Sequence, residues 1–112
     1  MSKIKHFTRI QTTKEFNRIY KNSTKTWHTP YFVLFFKKSD VYKVGFVASK
    51  KIGNAVHRNR AKRLLRAHFI ENIDLISSGS YVLVAKPDLI SQNFLETKKS
   101  YLHALKKCSA LT

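Results

Sequence analysis

The sequence predicts an α+β fold, a two-layer α/β sandwich with the element order α-β-β-β-α-β-α. Two patterns alternate along the chain: apolar residues at helical spacing, and short β-branched and aromatic runs bounded by turn residues. The chain has 112 residues, of which 43% are hydrophobic, enough for the core of one small domain. Internal repeats and low-complexity linkers are absent, so residues 1–112 are expected to form a single domain.

A short helix is predicted over about residues 13 to 22. Thr12 followed three residues later by Glu15 matches a capping box, in which each side chain satisfies a free backbone N–H of the first turn. Phe16 and Tyr20 follow one helical turn apart.

Two strands are predicted to follow this helix. Trp27 lies on a short extended piece, and residues 31–36 form an aromatic and branched run typical of a strand. A turn at residues 37–40 leads to a second strand over residues 41–49. Because so short a turn joins them, these two strands are expected to pair as an antiparallel hairpin.

The second half predicts a long helix, a strand and a final helix. Asn54 is a candidate N-cap for the long helix, which runs to about Asn72. Its expected buried side consists of Ala61, Leu64, Leu65, Ala67, His68 and Phe69. Residues 81–85 read as a buried strand, and a helix from about Ser91 to Lys107 is expected to bury Phe94, Leu95, Leu102 and Leu105.

Charge is the strongest functional signal. The chain has 22 Lys and Arg against 6 Asp and Glu, a formal net charge of +16. No acidic residue lies between Asp40 and Glu71, and seven basic residues fall between Lys50 and Arg66. The apolar residues among them recur at helical spacing, so an ordered helix is expected to display the charge to a polyanion.

Nucleic acid is the polyanion that the sequence favours. An anionic membrane would require a strongly amphipathic helix, and no apolar run approaches the ~20 residues of a membrane span. The alternative is that the basic face only aids solubility and binds nothing. Five basic residues within nine positions, with no acidic residue nearby, argue against this alternative. We expect no small-molecule substrate.

The chain offers few groups for catalysis. Its six carboxylates are scattered over turns and helix ends, and no serine or cysteine lies in a nucleophile-elbow motif. Cys108 is the single cysteine, so it forms no internal disulfide and no zinc site with His103 alone. We expect no metal site and no catalysis by the protein alone, although a His/Lys site assembled in three dimensions stays open. The lone cysteine and the absence of an apolar core behind residues 1–6 predict a cytoplasmic protein.

Aromatic residues form a second candidate site. Phe16 and Tyr20 share one helix face, and strand alternation places Val33 and Phe35 on the side opposite Phe32 and its even-numbered neighbours. One side of the sheet is expected to pack against the core helices. The other side, if only the short helix covers it, would form a groove on which unpaired bases stack, and the sequence equally allows ordinary core packing.

The basic segment resembles the signature of the protein subunit of bacterial ribonuclease P. The resemblance rests on Lys50-Lys51-Ile52-Gly53-Asn54-Ala55-Val56, followed by Arg58-Asn59-Arg60, Lys62-Arg63 and Arg66. It implies a fold similar to the second domain of ribosomal protein S5. It also implies a subunit of a ribonucleoprotein endonuclease that removes the 5′ leader from precursor tRNA, with Mg²⁺ held mainly by the catalytic RNA. The implied partners are the ribonuclease P RNA subunit and precursor tRNA.

The resemblance assigns two sets of site residues. The first set contacts the catalytic RNA: Lys51, Arg58, Asn59, Arg60, Lys62, Arg63 and Arg66. The second set binds the single-stranded leader: Phe16, Tyr20 and Phe35 at matching positions, with Val33, Val47, Ser49 and Lys50 as neighbours. Tyr20 and Phe35 exchange the aromatic identities expected in the family, which puts only a hydroxyl contact in doubt. The alternative function is a non-catalytic basic RNA-binding protein of the ribosome, which does not account for the full signature.

Overall fold

A five-stranded sheet forms the centre of the protein, with helices on both of its faces. The computed structural model describes residues 7–111, so the N-terminal segment discussed above lies outside the described residues. In chain order the elements are β1 Thr8–Arg9, α1 Thr13–Asn22, β2 Lys25–His28, β3 Phe32–Lys38, β4 Tyr42–Val47, α2 Ala55–Glu71, β5 Gly79–Ala85 and α3 Phe94–Lys107. The predicted fold class and order of elements are confirmed, with the short strand β1 added before α1.

The order of strands in the sheet is β1-β4-β5-β3-β2. Strand β5 pairs antiparallel with β3 and parallel with β4, so the predicted hairpin between β3 and β4 is wrong. The prediction took the short connection at residues 39–41 as a hairpin turn. Three residues are also long enough to cross two strand spacings of about 5 Å each, and so to pass over β5 from β3 to β4. Strand β5 is mostly apolar on both faces. As the central strand of the sheet it forms backbone hydrogen bonds along both of its edges.

The larger hydrophobic core lies between the sheet and the helices α2 and α3. The even-numbered side chains of β3, Phe32, Leu34 and Phe36, all point into it, which confirms the predicted division of β3 into two faces. Phe36 packs against Tyr81 of β5 with ring centroids 4.8 Å apart. These contacts fix the sheet against the two helices.

Helix α2 begins and packs largely as predicted. The Asn54 side chain accepts a hydrogen bond from the backbone N–H of His57 at 3.0 Å and so caps the first turn. Ala61, Leu65, His68 and Phe69 are buried and Leu64 is half-buried. The prediction that Ala67 is buried is wrong, because at 100° per residue it lies about 200° around the helix from Leu65.

Helix α3 begins later than predicted. Residues Pro87–Ser91 form a 3₁₀ turn, and the Asn93 side chain caps the helix by accepting from the backbone N–H of Glu96 at 2.9 Å. The helix buries Thr97, Tyr101, Ala104 and Leu105, while Leu102 is half-buried. The predicted burial of Phe94 and Leu95 is wrong, since they are 37% and 63% exposed in the first turn. No helix within residues 7–111 has the length and low polarity of a membrane span.

His68 connects α2 to α3 inside the core. Its Nε2 lies 2.7 Å from Oγ1 of Thr97, and the Thr97 hydroxyl donates to the carbonyl of Phe94 at 3.0 Å. Nε2–H of a neutral imidazole is therefore the donor to Thr97. The ring also stacks on Phe94 with centroids 4.1 Å apart. Burial lowers the pKa of His68 to about 4.

We predict that this histidine makes folding pH-dependent. Its pKa is near 6.5 when unfolded and about 4 when folded, so protonation favours the unfolded chain as pH falls through this interval. The stabilisation that neutral His68 adds to the free energy of unfolding is fully present above pH ~6.5. About 2 kcal/mol of this stabilisation is lost at pH ~5. Urea unfolding of the wild type and of His68→Gln at both pH values checks this. Equal pH dependence in the two proteins would contradict it.

Candidate nucleic-acid interface

A tight turn between β4 and α2 presents the first basic residues. Residues Lys50–Ile52 form a 3₁₀ turn in which the Ser49 hydroxyl accepts from the backbone N–H of Lys51 at 3.3 Å. Ile52 is buried and anchors the turn, while Lys50 and Lys51 are exposed. Gly53 follows with φ of 135°, a conformation that side chains rarely adopt. The signature thus folds into a rigid connection that projects two lysines into solvent.

The basic residues of α2 spread over about 200° of the helix surface. Asn59, Lys62 and Arg63 line one open cleft of about 530 Å³, together with Val56 and Arg9 of β1. Arg66 continues the same flank one turn further along. We call the surface formed by Arg9, Asn59, Lys62, Arg63 and Arg66 the basic flank.

Arg58 and Arg60 border the basic flank on its two sides, although neither lines this cleft. Arg58 is half-buried in the first turn of α2. Arg60 is exposed and lies about 60° around the helix from Arg63, on the other side of the flank. The residues of the first predicted set on α2 therefore form one broad surface around the basic flank.

Arg9 is a member of the basic flank that the sequence analysis missed. It lies on β1, which pairs parallel with β4 in the register Arg9 to Val44. This register turns its side chain toward α2. Because the linear sequence separates Arg9 from α2 by more than forty residues, only the β1–β4 pairing reveals it.

The basic residues of α2 take no part in the ion pairs found within residues 7–111. Those ion pairs join Glu15 to Lys43 at 3.2 Å, Glu96 to Lys99 at 3.7 Å, and Glu71 to Lys98. No carboxylate lines the cleft beside α2. A surface of this kind attracts a polyanion and gains free energy when one neutralises it.

The face of the sheet opposite α2 carries the second predicted set of residues. Two rows of residues cross the three central strands on this face: Phe35, Val82 and Gly45, then Val33, Val84 and Val47. Helix α1 lies over the first row, with Ile19 buried. Val84 was missed by the sequence analysis, because it expected β3 and β4 to pair directly and placed no strand between Val33 and Val47.

Three rings connect α1 to the sheet. Phe16 and Tyr20 stack with centroids 6.4 Å apart, and Tyr20 meets Phe35 edge-on at 4.8 Å. All three are half-buried, and burial raises the pKa of the Tyr20 hydroxyl. A Cβ on Gly45 would lie 2.4 Å from Cε1 of Phe16, so the glycine lets this ring rest on the strand backbone.

The structure brings together most of the second predicted set. Phe16, Tyr20, Phe35 and Val47 pack in one cluster with Val84. Val33 is 9% exposed and lies in the same row as Val84 and Val47, and Ser49 and Lys50 are exposed just beyond the end of β4. We call Phe16, Tyr20, Val33, Phe35, Val47 and Val84 the aromatic face. The chain passes from Val47 of this face to α2 at Ala55 in a few residues, and α2 covers the other face of the sheet.

The described residues hold no cluster of metal-ligating side chains. Within residues 7–111, no three or more His, Cys, Asp and Glu side chains lie together in a way that could hold a metal ion. Cys108 is buried, and burial raises its pKa to about 11, so the thiol stays protonated and unreactive.

The sequence profile of the family Ribonuclease P matches residues 4–109. The chain belongs to this family. The ribonuclease P protein component of a Nitratiruptor species is 49% identical over 85 residues, covering 76% of this chain and 77% of the relative. That of a Geobacillus species is 33% identical over 106 residues, covering 92% and 91%.

Solved structures of the family share the fold. The Staphylococcus aureus RNase P protein superposes with a TM-score of 0.79 at 30% identity, covering 93% of this chain and 97% of that one. A mutant of the same protein, described as having defective mRNA degradation activity, gives 0.81 at 29% identity, with 92% and 89% covered. The Thermotoga maritima RNase P protein in complex with 1-(4-fluorophenyl)-2-thiourea gives 0.77 at 27%, with 88% and 98% covered. The family resemblance and the fold class inferred from the sequence are thus confirmed.

We predict that Gly45→Ala destabilises the protein by about 1–3 kcal/mol, because the new methyl group overlaps the Phe16 ring. Chemical denaturation measures the change. In the background of Phe16→Ala, where the ring is absent, the same substitution should cost clearly less. An equal cost in both backgrounds would contradict the proposed contact.

Proposed function

We propose that the chain is the protein subunit of a ribonuclease P that removes the 5′ leader from precursor tRNA. Family membership over residues 4–109 supports a part in this ribonucleoprotein. The observation that carries the detailed proposal is that the family's basic signature runs from the turn after β4, just beyond Val47 of the aromatic face, into α2 and the basic flank. The protein thereby offers stacking contacts on one face of the sheet and phosphate contacts on the helix that covers the other.

The basic helix binds the catalytic RNA in this proposal. The contacting residues are Lys51, Arg58, Asn59, Arg60, Lys62, Arg63 and Arg66, joined by Arg9. Arginine forks bind phosphate oxygens with two parallel hydrogen bonds, whereas lysines act as movable point charges. Since these side chains spread over about 200° of the helix surface, α2 would lie in an RNA groove or junction and contact phosphates on both sides.

The aromatic face binds the single-stranded leader. Phe16, Tyr20 and Phe35 supply rings, while Val33, Val47 and Val84 supply the apolar floor beside them. Ser49 and Lys50 stand at the exposed end of β4, where they contact the leader backbone. Stacking of this kind tolerates many base sequences, because every base has a π-face. The protein would therefore favour precursor over mature tRNA with little dependence on leader sequence.

Catalysis belongs to the RNA subunit in this proposal. Mg²⁺ ions held mainly by the RNA would activate the attacking water and stabilise the leaving oxygen. The scattered carboxylates of the described chain support this division, since they offer no shared site for a metal. The protein's own residues position RNA and leader, and this work on precursor tRNA takes place in the cytoplasm.

Reconstitution tests the proposal. A 5′-labelled precursor tRNA is incubated at low Mg²⁺ with the protein, with a bacterial ribonuclease P RNA, and with both. We expect efficient cleavage only with both, giving a single cut at the mature 5′ end. No stimulation of the RNA would move the assignment to a non-catalytic, ribosome-associated RNA-binding protein. Cleavage by the protein alone would indicate an independent nuclease, an outcome of interest because a mutant of the S. aureus protein is described as defective in mRNA degradation.

We predict that Arg63→Ala weakens binding to the catalytic RNA and lowers the slope of log Kd against log salt concentration by about 1, because one phosphate contact is lost. Arg63 is exposed, so the domain should keep its stability. Arg18→Ala is the matched control, since it removes the same charge from exposed helix α1 on the other face of the sheet. Equal effects of the two substitutions would contradict a specific role for the basic flank.

We predict that Phe16→Ala narrows the affinity difference between precursor and mature tRNA in the reconstituted complex. Loss of one stacked base corresponds to about 1–3 kcal/mol, or roughly 5- to 150-fold. Titration of both tRNAs gives the ratio directly, so a general loss of protein stability would affect both and cancel. An unchanged ratio would show that Phe16 only packs the core.

A further inference from the structure

A second cavity, of about 170 Å³, lies beside the basic flank between β1, β4 and α2. Its interior is apolar and aromatic, formed by Phe7, Val44, Phe46 and Phe69. The rings meet edge-on, Phe7 with Phe69 at 4.9 Å and Phe46 with Phe69 at 5.8 Å. Three aromatic rings thus surround an opening that none of them fills.

The mouth of this cavity combines apolar and cationic groups. Arg9 and Arg66 stand at the mouth, and Ile70 of α2 beside them is 38% exposed. Phe7 and Phe46 are only half-buried, although they belong to the packing against the main core. No carboxylate lines the cavity, and no ion pair within residues 7–111 uses either arginine.

We propose that this cavity, hereafter the Phe7–Phe69 cavity, receives an unpaired base of the RNA partner, with Arg9 and Arg66 binding its phosphate. The inference rests on the proposed function and adds a third RNA-binding site to it. An aromatic interior suits the flat apolar faces of a base, and two arginines at the mouth suit the negative charge attached to it.

Continuity with the basic flank favours RNA as the occupant. Arg9 lines both the Phe7–Phe69 cavity and the cleft that contains Lys62 and Arg63. An RNA strand whose phosphates follow α2 therefore passes the mouth of the cavity. A base that is splayed out of such a strand enters without a further change in backbone direction, and inserting it buries apolar surface that the free protein exposes.

The test closes the cavity without changing charge. Ile70→Trp puts a bulky side chain at the mouth, at a position exposed enough to tolerate it. Leu95→Trp is the matched control, because Leu95 is another exposed aliphatic residue on a helix, 63% accessible and outside the cavity. Both variants and the wild type are titrated with the ribonuclease P RNA over a range of salt concentrations, and the RNA is probed for nucleotide reactivity in each complex.

We expect Ile70→Trp to weaken RNA binding about tenfold with an unchanged salt slope, because a stacking contact is lost and no phosphate contact is. At least one unpaired nucleotide protected by the wild type should become reactive in this complex and stay protected with Leu95→Trp. Thermal melting of each free variant confirms that it is folded.

Equal affinity of Ile70→Trp and the wild type would overturn the proposal, and so would weakened binding with no nucleotide gaining reactivity. In a third measurement, the wild-type protein is titrated with AMP and with UMP. Saturation of the Phe7–Phe69 cavity by either mononucleotide as tightly as by the RNA would assign it to a free nucleotide instead. Failure of the wild type to bind the RNA at all would contradict the proposed function itself, which distinguishes the two failures.

Discussion

The pairing of β5 with both β3 and β4 is the constraint on which the rest of the structure depends. Each of its edges forms a ladder, so β5 joins two strands that the chain connects by a short turn but does not pair. Tyr81 and Leu83 then point to one face of the sheet, and Val82 and Val84 to the other. Since successive residues of a strand alternate in direction, this single strand contributes to both layers.

The two faces of the sheet therefore differ in how completely helices cover them. The face with α2 and α3 holds most of the buried aromatic and aliphatic residues and supplies most of the stability. The face with α1 is covered by one short helix, which leaves half-buried rings at its edge. A binding surface of apolar rings is possible in such a small domain because the other face carries the core.

The basic flank keeps its positive charge because the ion-paired glutamates lie elsewhere in the described chain. The three ion pairs of the described chain place Glu15, Glu71 and Glu96 against lysines away from the basic flank. The arginines of α2 and Arg9 take no part in these ion pairs, and they repel one another in the free protein. A polyanion that binds only the folded domain would relieve that repulsion and stabilise the fold.

The sequence by itself determined the helices α1 and α2, the fold class, and the family signature in the basic segment. Caps such as Thr12 and Asn54 act on backbone groups three residues away, so a short window of sequence contains the whole interaction. Only the tertiary structure decided that β5 separates β3 from β4, that Val84 lies between Val33 and Val47, and that Arg9 joins α2. These contacts depend on which strands pair over long distances in the chain, and that choice follows from the burial of whole faces rather than from any local pattern.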